Sequence, residues 1–486
     1  MYLTALELQN YEKDIYLGVH LLEQMADGGY YKRSELATAL QLDVRSIQRL
    51  LEELSKKYRR FTETDLLLFE ERGQQYHLVI ANQMMEQNQF LVDLIRHSVT
   101  YQLLNLVVIG KARTVSELSQ QLFCSESTIR RKIKALQREL KPLQLTVERG
   151  VVSFQAAESV IRMYLSVYYW RLFRGKDWPF APLQHDLVRK ISNAIQQFFQ
   201  VELNPIKEQR LKYLLATHLL REVQGYSFTE DSIYQQTLVA NSLFQAFYQQ
   251  VSRVMPTYFR NKSALSNLFL NLLTREEYYH VPAISQQIHQ LLRQAPFSVM
   301  DEVAALNQVL KNKINNPKTW EKFQALQAEN YLISGHLYQR LFPMIQFNIN
   351  GKLFWTKMHE QQAPLVAFIT ESLRELGESD SILFGRYLSV LRRLPELTVQ
   401  PVLRIFLQTD LPEFEENIII DELRQFLSKN YQVVFVNSLA ASDICLTTSL
   451  LDQTNQVPTL AITEELQMTD YLALLTLLQG FGGKSF

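Results

Sequence analysis

Arg130, Arg131 and Lys134 stand within five positions of one another, just after Ser127 and Thr128. At helical spacing these side chains share an outward face. Guanidinium and ammonium groups grip phosphates, the Arg fork also takes a guanine edge, and the hydroxyls reach other base edges. Eighty-two residues earlier Arg45, Ser46, Gln48 and Arg49 occupy the corresponding places. Glu52 and Glu53 follow them closely, so the second set is the more basic and is expected to dominate electrostatic affinity. The chemistry implied is reversible binding of double-stranded DNA.

Covalent chemistry finds little footing. From 157 to 395 there is no Gly-rich phosphate loop, HExxH pair or nucleophile motif. Two cysteines, Cys124 and Cys445, make neither a disulfide framework nor a metal cluster unaided. No pair of histidines has ligand spacing with acidic or Cys neighbours. No catalytic residue, metal or cofactor is expected.

The elements that must position the basic residues can be read from the repeat itself. Ser34–Leu54 aligns without gaps on Ser116–Leu136, with seven of 21 positions identical. Leu36 and Leu40, like Leu118 and Leu122, lie on one face of a short helix. Leu42 and Cys124 plug a tight turn, and Ile47 with Leu51 or Leu54, and Ile129 with Ile133 or Leu136, form the buried face of a second helix. Thr114 with Glu117 reads as a capping box, and Asp43 and Ser125 as N-caps of the second helices. Two short helices joined by a tight turn make a helix-turn-helix. Leu66–Ile80 and Leu145–Phe154 each read as strand, Gly-containing turn, strand. The expected unit is a winged helix, present twice, over 1–88 and 89–156.

The rest of the chain is in keeping with this. With 486 residues, 47% hydrophobic and 21% charged, it is long enough for several cores, and low Gly and Pro favour helices. No apolar run approaches the roughly 20 residues of a membrane span, and the N-terminus lacks a basic region followed by an apolar core, so a cytoplasmic protein is expected. The net charge is zero, but residues 101–155 carry nine basic and four acidic side chains, whereas 401–486 carry four and 11. Helical patterns fill 157–395: Glu158–Phe173, Leu183–Phe199, Lys207–Val223 and Tyr331–Phe342. After 399 strands at Pro401–Leu407, Val433–Val436, Ile444–Thr447 and Thr459–Ile462 alternate with helices at Asn417–Leu427 and Met468–Leu478, which implies a small parallel α/β unit.

In this order of parts the chain resembles the Mga-like and AtxA-like regulators of Gram-positive bacteria. The resemblance implies a mainly α, multidomain protein: the two winged helices, two all-helical phosphotransferase-regulation modules over 157–283 and 284–396, and an enzyme IIB-like α/β domain over 397–486. It further implies a homodimer that binds promoter DNA, works as a global or virulence-type activator, touches no membrane and exchanges phosphoryl groups with phosphocarrier proteins of the sugar phosphotransferase system. A family pattern of His followed by Leu in an Arg-containing helix falls at ATHLLR and GHLYQR, and so points to His218 and His336, with His280 in REEYYH as a third candidate. Thr217 and Gly335 stand where antiterminator relatives carry the Asp of a DHI motif. An active enzyme IIB places a nucleophilic Cys just after its first strand. Here Gln408–Pro412 contains none, and Cys445 sits in a later strand, so a non-catalytic domain is expected. The rival readings are a phosphotransferase-system carrier whose N-terminal helices bind protein, opposed by the missing Cys loop, and an RNA-binding antiterminator, opposed by the winged helices.

Overall fold

The structure is a computed structural model. It describes residues 11–479 except 82, 111–112, 182, 227, 229–232, 260–261, 315, 346–362, 378–381, 395–401, 429–430 and 449–456. The chain divides into two compact units, the first made of 1–313, 327–356 and 378–386, the second of 314–326, 357–377 and 387–486.

The first unit opens with α1 (Lys13–Gln24), β1 (Tyr30–Lys32), α2 (Arg33–Leu40), α3 (Val44–Thr62) and the hairpin β2 (Phe69–Arg72) and β3 (Gln75–Leu78). Next come α4 (Met84–Arg96), α5 (Val99–Val108), α6 (Val115–Gln121), α7 (Glu126–Glu139) and a second hairpin, β4 (Leu145–Glu148) and β5 (Val151–Phe154). The repeat recurs in the backbone bonds of its turns and in the Glu arm of its caps. The Lys32 and Thr114 amides donate to the carboxylates of Glu35 and Glu117, at 2.8 and 2.9 Å, which explains why Glu recurs. Gln41 and Phe123 both have left-handed φ, 54° and 51°, which turns the chain so that Leu42 N reaches Ala37 O and Cys124 N reaches Ser119 O. Asp43 and Ser125 then cap α3 and α7, each accepting from the amide three residues on.

Each hairpin is joined by a segment that sequence reading did not separate from its surroundings, a strand in the first copy and a single bridge in the second. β1 pairs antiparallel with β3, Tyr30 opposite His77, giving the order β1-β3-β2. In the second copy Val152 N donates to Arg113 O and Val115 N to Gly150 O, so the segment just before α6 lies along β5. The chain reverses at Gly73 and Gly150, both with positive φ, where a Cβ would be strained.

Helices α8 (Glu158–Phe173), α9 (His185–Phe199), α10 (Pro205–Val223), α11 (Ile233–Val239), α12 (Ser242–Val251), α13 (Lys262–Leu273), α14 (Pro282–Arg293) and α15 (Val299–Ile314) follow. α8 and α10 are buried nearly all round, as helices packed on several sides must be. α8 lies in one core with α1–α7, through Ile161, Leu165 and Trp170. A second core runs from Val188 to Val303 and includes Ile333 and Leu337 of α17 (Glu329–Leu341), so α14 and α15 pack with α9–α13.

The second unit holds α16 (Pro317–Ala325), α18 (Ala363–Arg374) and the C-terminal sheet; α19 (Ile382–Leu391) crosses from one unit to the other. β6 (Val402–Gln408), α20 (Glu413–Leu427), β7 (Gln432–Phe435), β8 (Ile444–Thr447), β9 (Thr459–Ala461) and α21 (Met468–Gln479) build a parallel sheet of order β7-β6-β8-β9. Leu403, Ile405, Ile444 and Leu446 pack against Ile419 and Leu423 of α20 and Leu474 and Leu478 of α21. Cys445 is fully buried inside β8, and burial pushes its thiol up, which suits a packing residue and not a thiolate nucleophile. Among the described residues no helix is long and apolar enough to cross a membrane.

Candidate nucleic-acid interface

The buried stripe of α7 is Ile129, Ile133 and Leu136, which leaves Ser127, Arg130, Arg131 and Lys134 exposed and Thr128 half-buried. On α3 Ile47, Leu50, Leu51 and Leu54 face inward, with Arg45 and Arg49 exposed and Ser46 half-buried. The four repeat-related positions Ser46, Arg49, Thr128 and Arg131 line one cleft of about 930 Å3, together with Lys132 and Arg138. The outward faces of the two second helices therefore converge on shared space.

The copies differ in which cations are already paired. On α3 Arg49 meets Glu53 at 3.9 Å, and Lys57 meets Asp14 of α1 at 2.6 Å. Gln48 is engaged by Arg33 at 2.7 Å and by Glu52 at 2.6 Å, which ties it to its own fold. On α7 Arg130 lies 3.6 Å from Glu126 and Lys132 2.8 Å from Glu12, whereas Arg131, Lys134 and Arg138 have no ion-pair partner among the described residues. Arg149, exposed at the turn of the second hairpin, has none either. Sequence reading passed over Arg149, although its place before the turn glycine was a usable signal. Phe123, 96% exposed in the left-handed turn before α7, had no such signal.

The three histidines fall in unlike settings. His218 is fully buried on α10, its ring 6.5 and 6.3 Å from those of Phe228 and Phe259. Neither ring nitrogen has a hydrogen-bond partner among the described residues. Arg221, three residues on, turns away to pair with Glu158 of α8. An imidazole that receives a phosphoryl group needs one accessible nitrogen and one oriented by a partner; neither condition holds at His218 in this conformation. His336 is buried on α17, its Nδ1 3.4 Å from Glu302 of α15, and Arg340 pairs with that same carboxylate. His280 is exposed, just after the short 3-10 turn Glu276–Tyr279.

Burial, then the Arg162 and Arg275 charges, hold the His218 ring well below the ordinary imidazole range. The folded protein thus keeps it neutral while the unfolded chain takes up a proton. Its contribution to stability is complete above about pH 6.5 and falls by about 1.4 kcal/mol per unit below that. The unfolding midpoint of wild type should drop between pH 7.5 and 5, and His218→Leu should flatten that slope. Parallel pH profiles for the two proteins would exclude this role.

Residues 83–169 match the Mga helix-turn-helix domain, a segment that runs from α4 through both helices of the second copy and its hairpin into α8. The chain is also 22% identical over 140 residues to the capsule synthesis positive regulator AcpB of Bacillus anthracis. That similarity covers 29% of each chain. The protein is Mga-like over the segment that carries α7 and its exposed cations, and neither comparison is with an enzyme.

Proposed function

We propose that this Mga-like chain is a cytoplasmic, DNA-binding transcriptional activator of the virulence type, without catalytic activity of its own. The observation that carries the reading is the exposed cationic face of α7, where Arg131 and Lys134 have no ion-pair partner among the described residues, lying inside the segment that matches the Mga helix-turn-helix domain. Both helix-turn-helix copies are winged helices in this reading. α7 and Arg149 supply phosphate contacts, Ser127, Thr128 and Arg130 the base edges, and Arg45, Ser46, Gln48 and Arg49 of α3 a weaker second contact. Residues 157–283 and 284–396 act as two phosphotransferase-regulation modules and 397–486 as an enzyme IIB-like domain without its nucleophile, the whole assembled as a homodimer. Phosphocarrier proteins modify the histidines. His280 is exposed and His336 has an orienting carboxylate in Glu302, whereas His218 requires its module to open first.

The test is titration of the full chain with a pool of genomic duplex fragments at several salt concentrations. Binding should weaken linearly in log–log form as salt rises, and duplex RNA of the same length should compete poorly, since its narrow major groove does not admit a helix. Salt-independent binding, or equal affinity for the RNA duplex, would exclude the reading.

A further inference from the structure

A groove of about 680 Å3 runs along one side of α4 in the first unit. Met85, Gln89, Val92 and Arg96 line it and share one helical stripe, so the groove follows the helix for about 16 Å. Phe61 of α3, Leu172 and Phe173 at the end of α8, the turn 174–177 and Ile206 at the start of α10 supply the remaining walls. Leu172 and Phe173 are buried, whereas Met85 and Ile206 are each 69% exposed. Two large apolar side chains left in water on one cavity are more than scattered surface residues.

The dimensions select the occupant. A volume of this size is that of a small-ligand site. An α-helix of the same length, roughly 10–12 Å across, would occupy about 1,500 Å3, so the groove suits a single narrow chain instead. One acyl chain spans half the hydrocarbon core of a bilayer, about 15 Å, which matches the groove in length.

The charges lie at one end. Met85, Asn88 and Gln89 carry none, and Asn88 donates its amide to the Met84 carbonyl of its own helix. Arg96 meets Asp177 at 3.0 Å, which brings the 174–177 turn against the C-terminal end of α4. Asp93 meets Arg60 of α3 at 3.3 Å, so both lining carboxylates are already paired. Lys176, exposed on that turn, has no ion-pair partner among the described residues, and Arg174 lines the groove with it. Three lining cations thus face two engaged carboxylates, a surplus that favours an anionic group at this end. With five N–H donors, Arg96 can keep Asp177 and still meet a ligand.

We propose that this groove binds one single-chain amphiphile with an anionic head, a long-chain carboxylate. The head sits at Lys176 and Arg96, and the chain lies along Val92 toward Met85. Because α3, α4, α8 and α10 all contribute walls, occupancy ties the helix-turn-helix repeat to the helical core. The site stands whether or not the chain binds DNA.

The experiment is calorimetric titration of the full chain with laurate below its micelle concentration. Binding should saturate at one equivalent, and decanoate, two methylenes shorter, should bind roughly tenfold more weakly. Dodecyltrimethylammonium, with the same chain and the opposite charge, should bind more than tenfold more weakly than laurate. Lys176→Glu, at an exposed position, should weaken laurate roughly tenfold, and Met85→Ser several-fold. Lys190→Glu, the same charge reversal on the exposed side of α9, should match wild type. Absence of saturable binding, equal binding of decanoate or of the cationic amphiphile, or wild-type affinity in Lys176→Glu or Met85→Ser each overturns the proposal. An equal loss in Lys190→Glu would mark a general charge effect and also overturn it.

Discussion

Replacing Arg130, Arg131 and Lys134 together by Ala should weaken binding to duplex DNA by on the order of a hundredfold at moderate salt and reduce the salt slope by up to about three. Each exposed cation that meets a phosphate displaces a condensed counterion, and Arg131 and Lys134 are free to do so because no carboxylate among the described residues pairs with them. Arg130 contributes less, having Glu126 3.6 Å away. The matching change on α3, Arg45 and Arg49 to Ala, should cost several-fold less, since Arg49 already faces Glu53 and Gln48 is held by Arg33 and Glu52. Affinity and slope come from one titration series, with circular dichroism to verify folding. A larger loss from the α3 pair than from the α7 triple would reverse the assignment of the dominant helix.

Arg162→Met should destabilise the first unit by about 3–5 kcal/mol, the cost of breaking a buried ion-pair network from one side. Arg162 is fully buried in α8, with Glu158 at 3.1 Å and Glu222 of α10 at 2.9 Å, and its face covers the Phe228 ring at 4.1 Å. Glu158 retains Arg221, but Glu222, almost fully buried, loses its guanidinium. The denaturant midpoint of the full chain, followed by tryptophan fluorescence because Trp170 and Trp178 lie in this region, should fall accordingly. Adding Glu222→Leu should cost less than it does in the wild-type background, since the Arg162–Glu222 pairing is already lost. A single variant as stable as wild type, or losses that simply add in the double variant, would show that the network does not brace α8 on α10.

These two predictions draw on different layers of information. The first was legible before any coordinates. The repeat, the Thr114–Glu117 capping box, the tight turns plugged by Leu42 and Cys124 and the hairpins at Gly73 and Gly150 all depend on groups a few residues apart, so their signals survive in the order of residues. The parallel strands after 402 and the long helices were legible for the same reason: hydrophobic periodicity is local.

What the order of residues could not express was partnership across distance. Arg221 follows His218 by three residues and looked like its companion, yet α8 passes close by and Glu158, 63 residues away, takes the guanidinium. The run Leu211–Glu222 of α10 is buried on every side, polar residues included, so periodicity gave no face to which His218 could be assigned, and only packing showed it to be fully buried. The strand β1 and the bridge just before α6 were missed because three residues, or two, are too few to show alternation. The meeting of Arg49 with Arg131 in one cleft, and the neutralisation of Lys132 by Glu12, likewise rest on approaches between distant segments. Local chemistry decided what each element is; tertiary packing decided which of its charges remain free, because burial and ion pairing depend on neighbours that the chain brings together only on folding.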